Sequence, residues 1–245
     1  MTETGPTGNT AHGTTGSTAQ GTARGTARGT VSGTVSIKIW SDYVCPFCML
    51  AEGPLHEATH DLDTEIEWMP FELRPHPTPT LRPEDDYLPA IWARSVYPMA
   101  RRMGVDITLP TISPQPYTRL AFEGHHYAAA HGRAAEYTPR ILRAFFQENR
   151  DIGQLDVLTD IASELGLDTT GFTQALTTGT YTQTHQDALR TAQAHRITVV
   201  PTIIIGQHHR IEGVPTTAQI RKAVLDTQTE HAPTQDAPAC GINGC

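Results

Sequence analysis

The four cysteines of this 245-residue chain fall into two close pairs, Cys45/Cys48 and Cys240/Cys245. Four thiols are too few to staple a chain of this length as a disulfide scaffold, so the pairs point to redox chemistry or metal binding. The first pair constrains the fold most, because of what flanks it. Thr34-Val-Ser-Ile-Lys-Ile-Trp40 alternates and is rich in β-branched residues, the pattern of a strand. Ser41-Asp-Tyr-Val leads from it into Cys45-Pro-Phe-Cys48, where helical spacing begins. Pro46 suits a first helical turn, since its missing N–H breaks no hydrogen bond there. Pro54 falls later in the same helix and predicts a kink, because it removes the bond to the Leu50 carbonyl. Glu65-Ile-Glu-Trp-Met-Pro-Phe71 reads as a second strand. The connection is long enough for a parallel, right-handed β–α–β crossover.

The rest of the chain extends this order. Residues 1–33 are nearly all Gly, Thr, Ser and Ala in a short repeat. With almost no apolar side chain to bury, they cannot offset the entropy of ordering, and they read as a disordered tail. About 200 residues remain, enough for one domain or for one domain carrying a large insertion. Pro70, Pro75, Pro77, Pro79 and Pro83 mark an extended connector. From about Glu84 to Ala194 the apolar spacing is helical, as in Ile141-Leu142-Phe145-Phe146 and Leu155-Leu158-Ile161-Leu165. Asp168, Thr169 and Thr170 are candidate caps for a further helix. Strand character returns in Thr198–Ile205, followed by a turn at Gly206-Gln-His-His and a short partner strand, Arg210-Ile-Glu212. Thr216–Leu225 reads as a closing helix, and the sequence is polar again from Thr227. The predicted class is α/β: a thioredoxin fold with an all-helical insertion between its β-α-β and β-β-α halves. The expected boundaries are 34–78 for the first half, 79–195 for the insertion, 196–228 for the second half and 229–245 for a flexible tail.

A net charge of −8 argues against nucleic acid or an anionic membrane as partner. No stretch approaches about 18 consecutive apolar residues, so no transmembrane helix is expected. The N-terminus also lacks the apolar core of a secretory signal, and the expected location is the cytoplasm.

A C-x-x-C that opens a helix just after a strand has a chemical purpose. The first sulfur faces unpaired amides and the positive end of the helix dipole, which favour the thiolate that attacks in disulfide exchange. Cys45 is therefore the candidate nucleophile. Cys48, one turn on, is placed to attack the mixed disulfide and release the product. The competing reading is structural zinc, with Cys240 and Cys245 completing four ligands; Pro46-Phe47 between the cysteines and the β–α–β context fit redox use better. Val200-Pro201 opens the later strand-like run. Proline there lacks a ladder donor, and the residues alone leave a cis turn and a trans strand start equally open.

Cys45-Pro-Phe-Cys48, the long helical insertion and Val200-Pro201-Thr202 together resemble the DsbA family. Trp68-Met-Pro-Phe-Glu-Leu-Arg-Pro75, Ser113-Pro-Gln-Pro116 and Arg143-Ala-Phe-Phe-Gln147 are similar, more narrowly, to its FrnE-type cytoplasmic branch. The resemblance covers about Ser36 to Leu225. It implies dithiol–disulfide exchange with substrate proteins, Cys45 as nucleophile, Cys48 as resolving cysteine and Pro201 as a cis-proline. In such folds the proline loop lies against the C-x-x-C and leaves backbone free for substrate, so Val200, Pro46 and Phe47 are the implied substrate-binding residues. No cofactor is implied beyond the redox disulfide, with glutathione as a candidate co-substrate. One departure is visible: Pro-Phe replaces the Pro-His of strongly oxidising members, and it is closer to the Pro-Tyr of glutaredoxins. Family potentials span roughly 150 mV, about 7 kcal/mol for two electrons, so the direction of net transfer stays open. Related proteins also include glutathione-dependent 2-hydroxychromene-2-carboxylate isomerases. These generally carry serine in place of the first cysteine, and the intact pair here favours disulfide exchange.

Two further features carry hypotheses. Cys240-Gly-Ile-Asn-Gly-Cys245 permits a tight reversal, so this pair can close a small loop and serve as a tethered auxiliary dithiol for Cys45–Cys48. The alternative is a pair that oxidises incidentally. His56-Glu57-Ala58-Thr59-His60 matches H-E-x-x-H, a zinc-protease pattern; lying beyond the Pro54 kink, it reads as a solvated helix face. His125-His126 and His208-His209 read as surface pairs. Trp92, Tyr97 and Met99 are candidates for a substrate groove, though helical spacing also fits them to the core.

Overall fold

The computed structural model describes residues 33–230. Residues 1–32 of the tail proposed for 1–33 lie outside the described residues, as do Cys240 and Cys245. β1 (Val35–Ser41), α1 (Pro46–Thr59) and β2 (Thr64–Pro70) form the β–α–β unit, with Val35 opposite Thr64 and Ser41 opposite Pro70 in parallel register. After the helical segment, β3 (Thr202–Ile205) runs antiparallel to β1, and β4 (His209–Glu212) antiparallel to β3. The sheet order is β2-β1-β3-β4.

Alternation along β1 sends Val35, Ile37 and Ile39 to one face, where they meet Ile203, Ile205, Leu55 and Ala58 of α1 and the apolar side of the closing helix. Trp40 points to the other face and packs with Met69, Ala192 and Ile197. Between β2 and β3 the chain makes α2 (Tyr87–Ile91), a π-helical turn (Trp92–Val96), α3 (Tyr97–Met103), α4 (Arg119–Ala130), α5 (Ala134–Phe146), α6 (Leu155–Glu164), α7 (Thr169–Thr178) and α8 (Thr182–Ala194). Their core includes Phe122, Tyr137, Phe145, Phe146 and Phe172, and it takes in Tyr43, Met49 and Leu50 from the first half. Each fully buried phenylalanine contributes roughly 1.5–3 kcal/mol of transfer free energy. The insertion and the first half are therefore welded through one apolar cluster. Gly124 on α4 is part of that weld: a Cβ there would lie 2.2 Å from the Tyr137 hydroxyl and 2.9 Å from Phe172 Cζ.

Several elements differ from the sequence reading. Residues 105–118 are not helical, because Pro110, Pro114 and Pro116 deny the segment a hydrogen-bonded ladder. β3 starts only at Thr202, because Pro201 has no amide to donate to a ladder; the Val200-Pro201 bond is cis. The closing helix, α9 (Thr217–Glu230), continues past the polar Thr227. Thr227 is buried, donating to the Ala223 carbonyl and packing on Gly206, where a Cβ would lie 2.7 Å from Thr227 Cγ2 and where the φ of +59° favours glycine. Asp168 caps α7 by accepting from the Thr170 and Gly171 amides, one of the three caps expected.

Candidate active site

Cys45 is the N-cap residue of α1, in extended backbone, and its amide donates to the Asp42 carbonyl at 3.0 Å. Both described cysteines are free thiols. Cys45 keeps 5% of its surface exposed and Cys48 keeps none. Burial pushes the Cys48 thiol well above its ordinary range, and the neighbouring Cys45 adds to this. The Ser41 hydroxyl and the Asp42 amide lie against the sulfur and act in the opposite direction. The Cys45 thiol donates to the Val200 carbonyl at 3.6 Å, which brings the cis Val200-Pro201 turn over the helix start. That turn is held in place by Gly213, whose amide donates to the Pro201 carbonyl, and by Thr202, which bonds back to Val199.

A cavity of about 280 Å³ opens at Cys45. Pro46, Phe47 and Val200 line it, as does Asp42 on its buried side. The connector after β2 supplies Leu73, Arg74 and Leu81, the π-helical turn supplies Trp92 and Val96, and the proline-rich 105–118 segment supplies Gln115, Pro116 and Thr118. Leu73, Tyr87 and Val199 are large apolar side chains exposed at its margin. Of the three groove candidates, Trp92 lines the cavity. Tyr97 instead packs its ring edge on Trp92, and Met99 packs against the core.

Asp42 is the site residue whose surroundings the sequence did not reveal. It is fully buried, and Oδ2 accepts from the Leu73 amide at 2.7 Å. Thr118 lies beside the carboxylate and favours its charged form, although Oδ1 closes no hydrogen bond among the described residues. Burial outweighs these contacts and pushes Asp42 up to about 6. The only sequence signal for it was its place three residues before Cys45.

The histidines divide. His56 on α1 and His60 just past its end are exposed, His60 bonding the Glu57 carbonyl and Glu57 bonding Thr217, in keeping with a solvated face. His208 is exposed. The surface reading of His125-His126 is corrected: His125 is buried and His126 half-buried, because α4 is covered by other helices on both flanks. Burial holds both near 4, with His125 against Thr138 and His126 beside His185.

Comparison with known proteins agrees with this geometry. A family model described as a DSBA-like thioredoxin domain matches residues 36–225. The chain is 47% identical over 196 residues to the uncharacterized protein YwbO of Bacillus subtilis (strain 168), covering 79% of this chain and 98% of that one. Among solved structures, a probable DsbA oxidoreductase of Streptomyces coelicolor superposes with a TM-score of 0.67 at 22% identity, covering 86% of this chain and 98% of that one. The cytosolic disulfide reductase DsbM of Pseudomonas aeruginosa superposes with a TM-score of 0.59 at 19% identity, covering 80% of this chain and 100% of that one. The structural likenesses speak for the fold, and the match across most of the chain speaks for the family: this protein belongs to the DSBA-like thioredoxin domain family.

Proposed function

We propose that this chain is a dithiol–disulfide oxidoreductase acting on protein thiols and disulfides, with Cys45 as nucleophile and Cys48 as resolving cysteine. The observation that carries this reading is the asymmetry of the pair. Cys45 sits at a helix N-terminus, open to a cavity and against the Val200 carbonyl, while Cys48 is sealed behind it. The outer sulfur sits at the helix end, where the first backbone amides have no partner within the helix. In the reductive direction, the Cys45 thiolate attacks one sulfur of a substrate disulfide and expels the other as thiolate. Cys48 then gives up its proton and attacks Cys45, releasing the second substrate thiolate and leaving the Cys45–Cys48 disulfide. Two electrons pass to the substrate. The oxidative direction reverses each step.

Asp42 is the proton acceptor in this scheme, being a buried carboxyl with affinity near neutrality that lines the same cavity as Cys45. Pro46, Phe47 and Val200 are the substrate contacts, and the exposed Leu73, Tyr87 and Val199 favour a polypeptide with apolar side chains. Glutathione enters as a co-substrate that resets the pair, and no other cofactor is required. Cys240 and Cys245 act as a tethered second dithiol. A reducing, cytoplasmic setting and the FrnE-type branch complete the reading, supported by the sequence motifs and by the fold shared with a cytosolic reductase.

Equilibration in graded glutathione buffers followed by thiol trapping tests it. A reversible two-electron transition that vanishes in Cys45→Ser is the expected result. Absence of any transition in the wild type, with thiols masked until a chelator is added, would replace redox with zinc binding.

A further inference from the structure

Thr80, Gln115 and Pro116 line the cavity at Cys45 and also line a second, larger cleft, of about 1090 Å³ against about 280 Å³. The ridge between the two is firmly built. The Gln115 amide donates to the Leu81 carbonyl at 2.8 Å and the Tyr117 hydroxyl to the Thr78 carbonyl at 3.1 Å, stitching the proline-rich segment to the connector after β2. Thr111 and Asn149 exchange two hydrogen bonds of 2.8 Å, which pin the same segment just beyond the end of α5. The smaller cavity falls short of the roughly 300–1,000 Å³ of a ligand pocket. A polypeptide that reaches Cys45 must therefore extend beyond it, and the ridge leads into the cleft.

The cleft has a charge pattern opposite to that of the whole chain, whose net charge is −8. The acids on its walls are already taken. His185 Nε2 lies 2.5 Å from the buried Glu72, and Asp151 accepts from the Gly153 amide and from Gln154. Arg82 and Arg119 line the same cleft with side chains 51% and 59% exposed, whereas their partners Glu84 and Glu123 do not line it. Arg119 meets Glu123 through Nε at 3.6 Å, and Arg82 meets Glu84 and Ser113 through Nη1 at 3.4 and 3.3 Å. Two nitrogens of each guanidinium thus have no hydrogen-bond partner among the described residues. A guanidinium with adjacent open donors suits a carboxylate, which it can bind through two parallel N–H bonds.

We propose that this cleft is a second subsite of the active site, taking the residues that flank the reacting cysteine of a polypeptide substrate, and that Arg82 and Arg119 select a flank carrying Asp or Glu. The exchange step rests on the redox reading above; the binding preference does not.

The test uses the reduced full chain and nine-residue peptides with a central cysteine disulfide-linked to thionitrobenzoate, carrying Glu, Gln or Lys on one flank or the other. Cys45 attacks the peptide sulfur and expels the chromophore as its thiolate, and Cys48 then releases the peptide thiolate. Hydroxyethyl disulfide, too small to span the ridge, reports exchange by itself. The same peptides with serine for cysteine, fluorescently labelled, report binding by anisotropy. Glu on one flank is expected to exceed Lys by about 10-fold in exchange rate and in affinity. The net charge of the chain favours the opposite order, so a Glu preference reports the local arginines. Arg82→Gln combined with Arg119→Gln is expected to bring the ratio within about 2-fold. Raising salt from about 20 to about 300 mM should shrink the wild-type ratio and carries the test should the variant fail to fold. Equal Glu and Lys peptides on both flanks in wild type, or a ratio unmoved in the folded variant, overturns the proposal. Exchange with glutathione disulfide slowed by the variant as much as exchange with the Glu peptide would assign the arginines to glutathione and overturn it as well. A Glu preference in binding, by a protein that exchanges with no disulfide at all, would sink the redox reading and leave the subsite standing.

Discussion

Cys45 and Val200, 155 residues apart in the chain, meet through a 3.6 Å hydrogen bond from the thiol to the carbonyl. A strand end and the cis turn before another strand are thereby closed around one sulfur, with the second sulfur shut behind it. Reagent and substrate reach the pair from the Cys45 side, and this ordering decides how the two single variants differ.

Cys48→Ser is expected to accumulate a mixed disulfide with added substrate, because the attacking sulfur is present and the releasing one is not. Cys45→Ser is expected to accumulate none and to lose exchange by about 100-fold or more. Mass spectrometry after acid quenching reads both outcomes. Trapping on Cys48 in Cys45→Ser would reverse the assigned roles.

Asp42 should make the protein less stable as pH rises, the opposite of a salt-bridged aspartate. Its folded affinity, about 6, exceeds the ordinary 3.8, so the native state holds the proton more tightly than the unfolded chain. The stabilising contribution is present below pH 3.8 and is lost as pH rises through 6. Asp42→Asn is therefore expected to gain on wild type between these limits, by up to about 3 kcal/mol above pH 6. Urea unfolding of the reduced proteins across pH 4–8 checks it; a flat difference would show that Asp42 is not the titrating group.

Gly124→Ala is expected to destabilise the weld between α4, α5 and α7. The new methyl would fall 2.2 Å from the hydroxyl of the fully buried Tyr137 and 2.9 Å from Phe172 Cζ. Overpacking of this kind costs about 1–3 kcal/mol, a fall in Tm of roughly 2–4 °C per kcal/mol for a chain of this size. Calorimetry reads it. Gly53→Ala, with nothing within 4 Å of the added atom, is the control and is expected to leave Tm unchanged or slightly raised.

Truncation after Glu230 removes Cys240 and Cys245 while keeping α9 whole. If the tail pair exchanges with the active site, the truncated protein should be reduced by glutathione about 10-fold more slowly, since a tethered dithiol acts at a high effective concentration. Equal rates for the full and truncated chains would reduce the tail pair to an incidental one.

The sequence by itself determined the order of elements, the register of alternation in β1, the cysteine pair at a strand–helix junction and a cap among Asp168, Thr169 and Thr170, of which the structure uses Asp168. These are local facts: periodicity of 2 or 3.6, a proline at a helix start, a carboxylate within three residues of the amides it caps. Tertiary structure alone decided which polar groups lost their water. Asp42 gained its near-neutral affinity from burial, which outweighs the bond it accepts from the amide of Leu73, 31 residues away. Glu72 was paired with His185 across 113 residues, although Glu72 stood in plain view in the Trp68–Pro75 motif. His125-His126, a surface pair by local pattern, is buried at His125 and half-buried at His126 because other helices cover α4. Desolvation and charge pairing depend on neighbours that chain folding brings together, and no local pattern in the sequence records them.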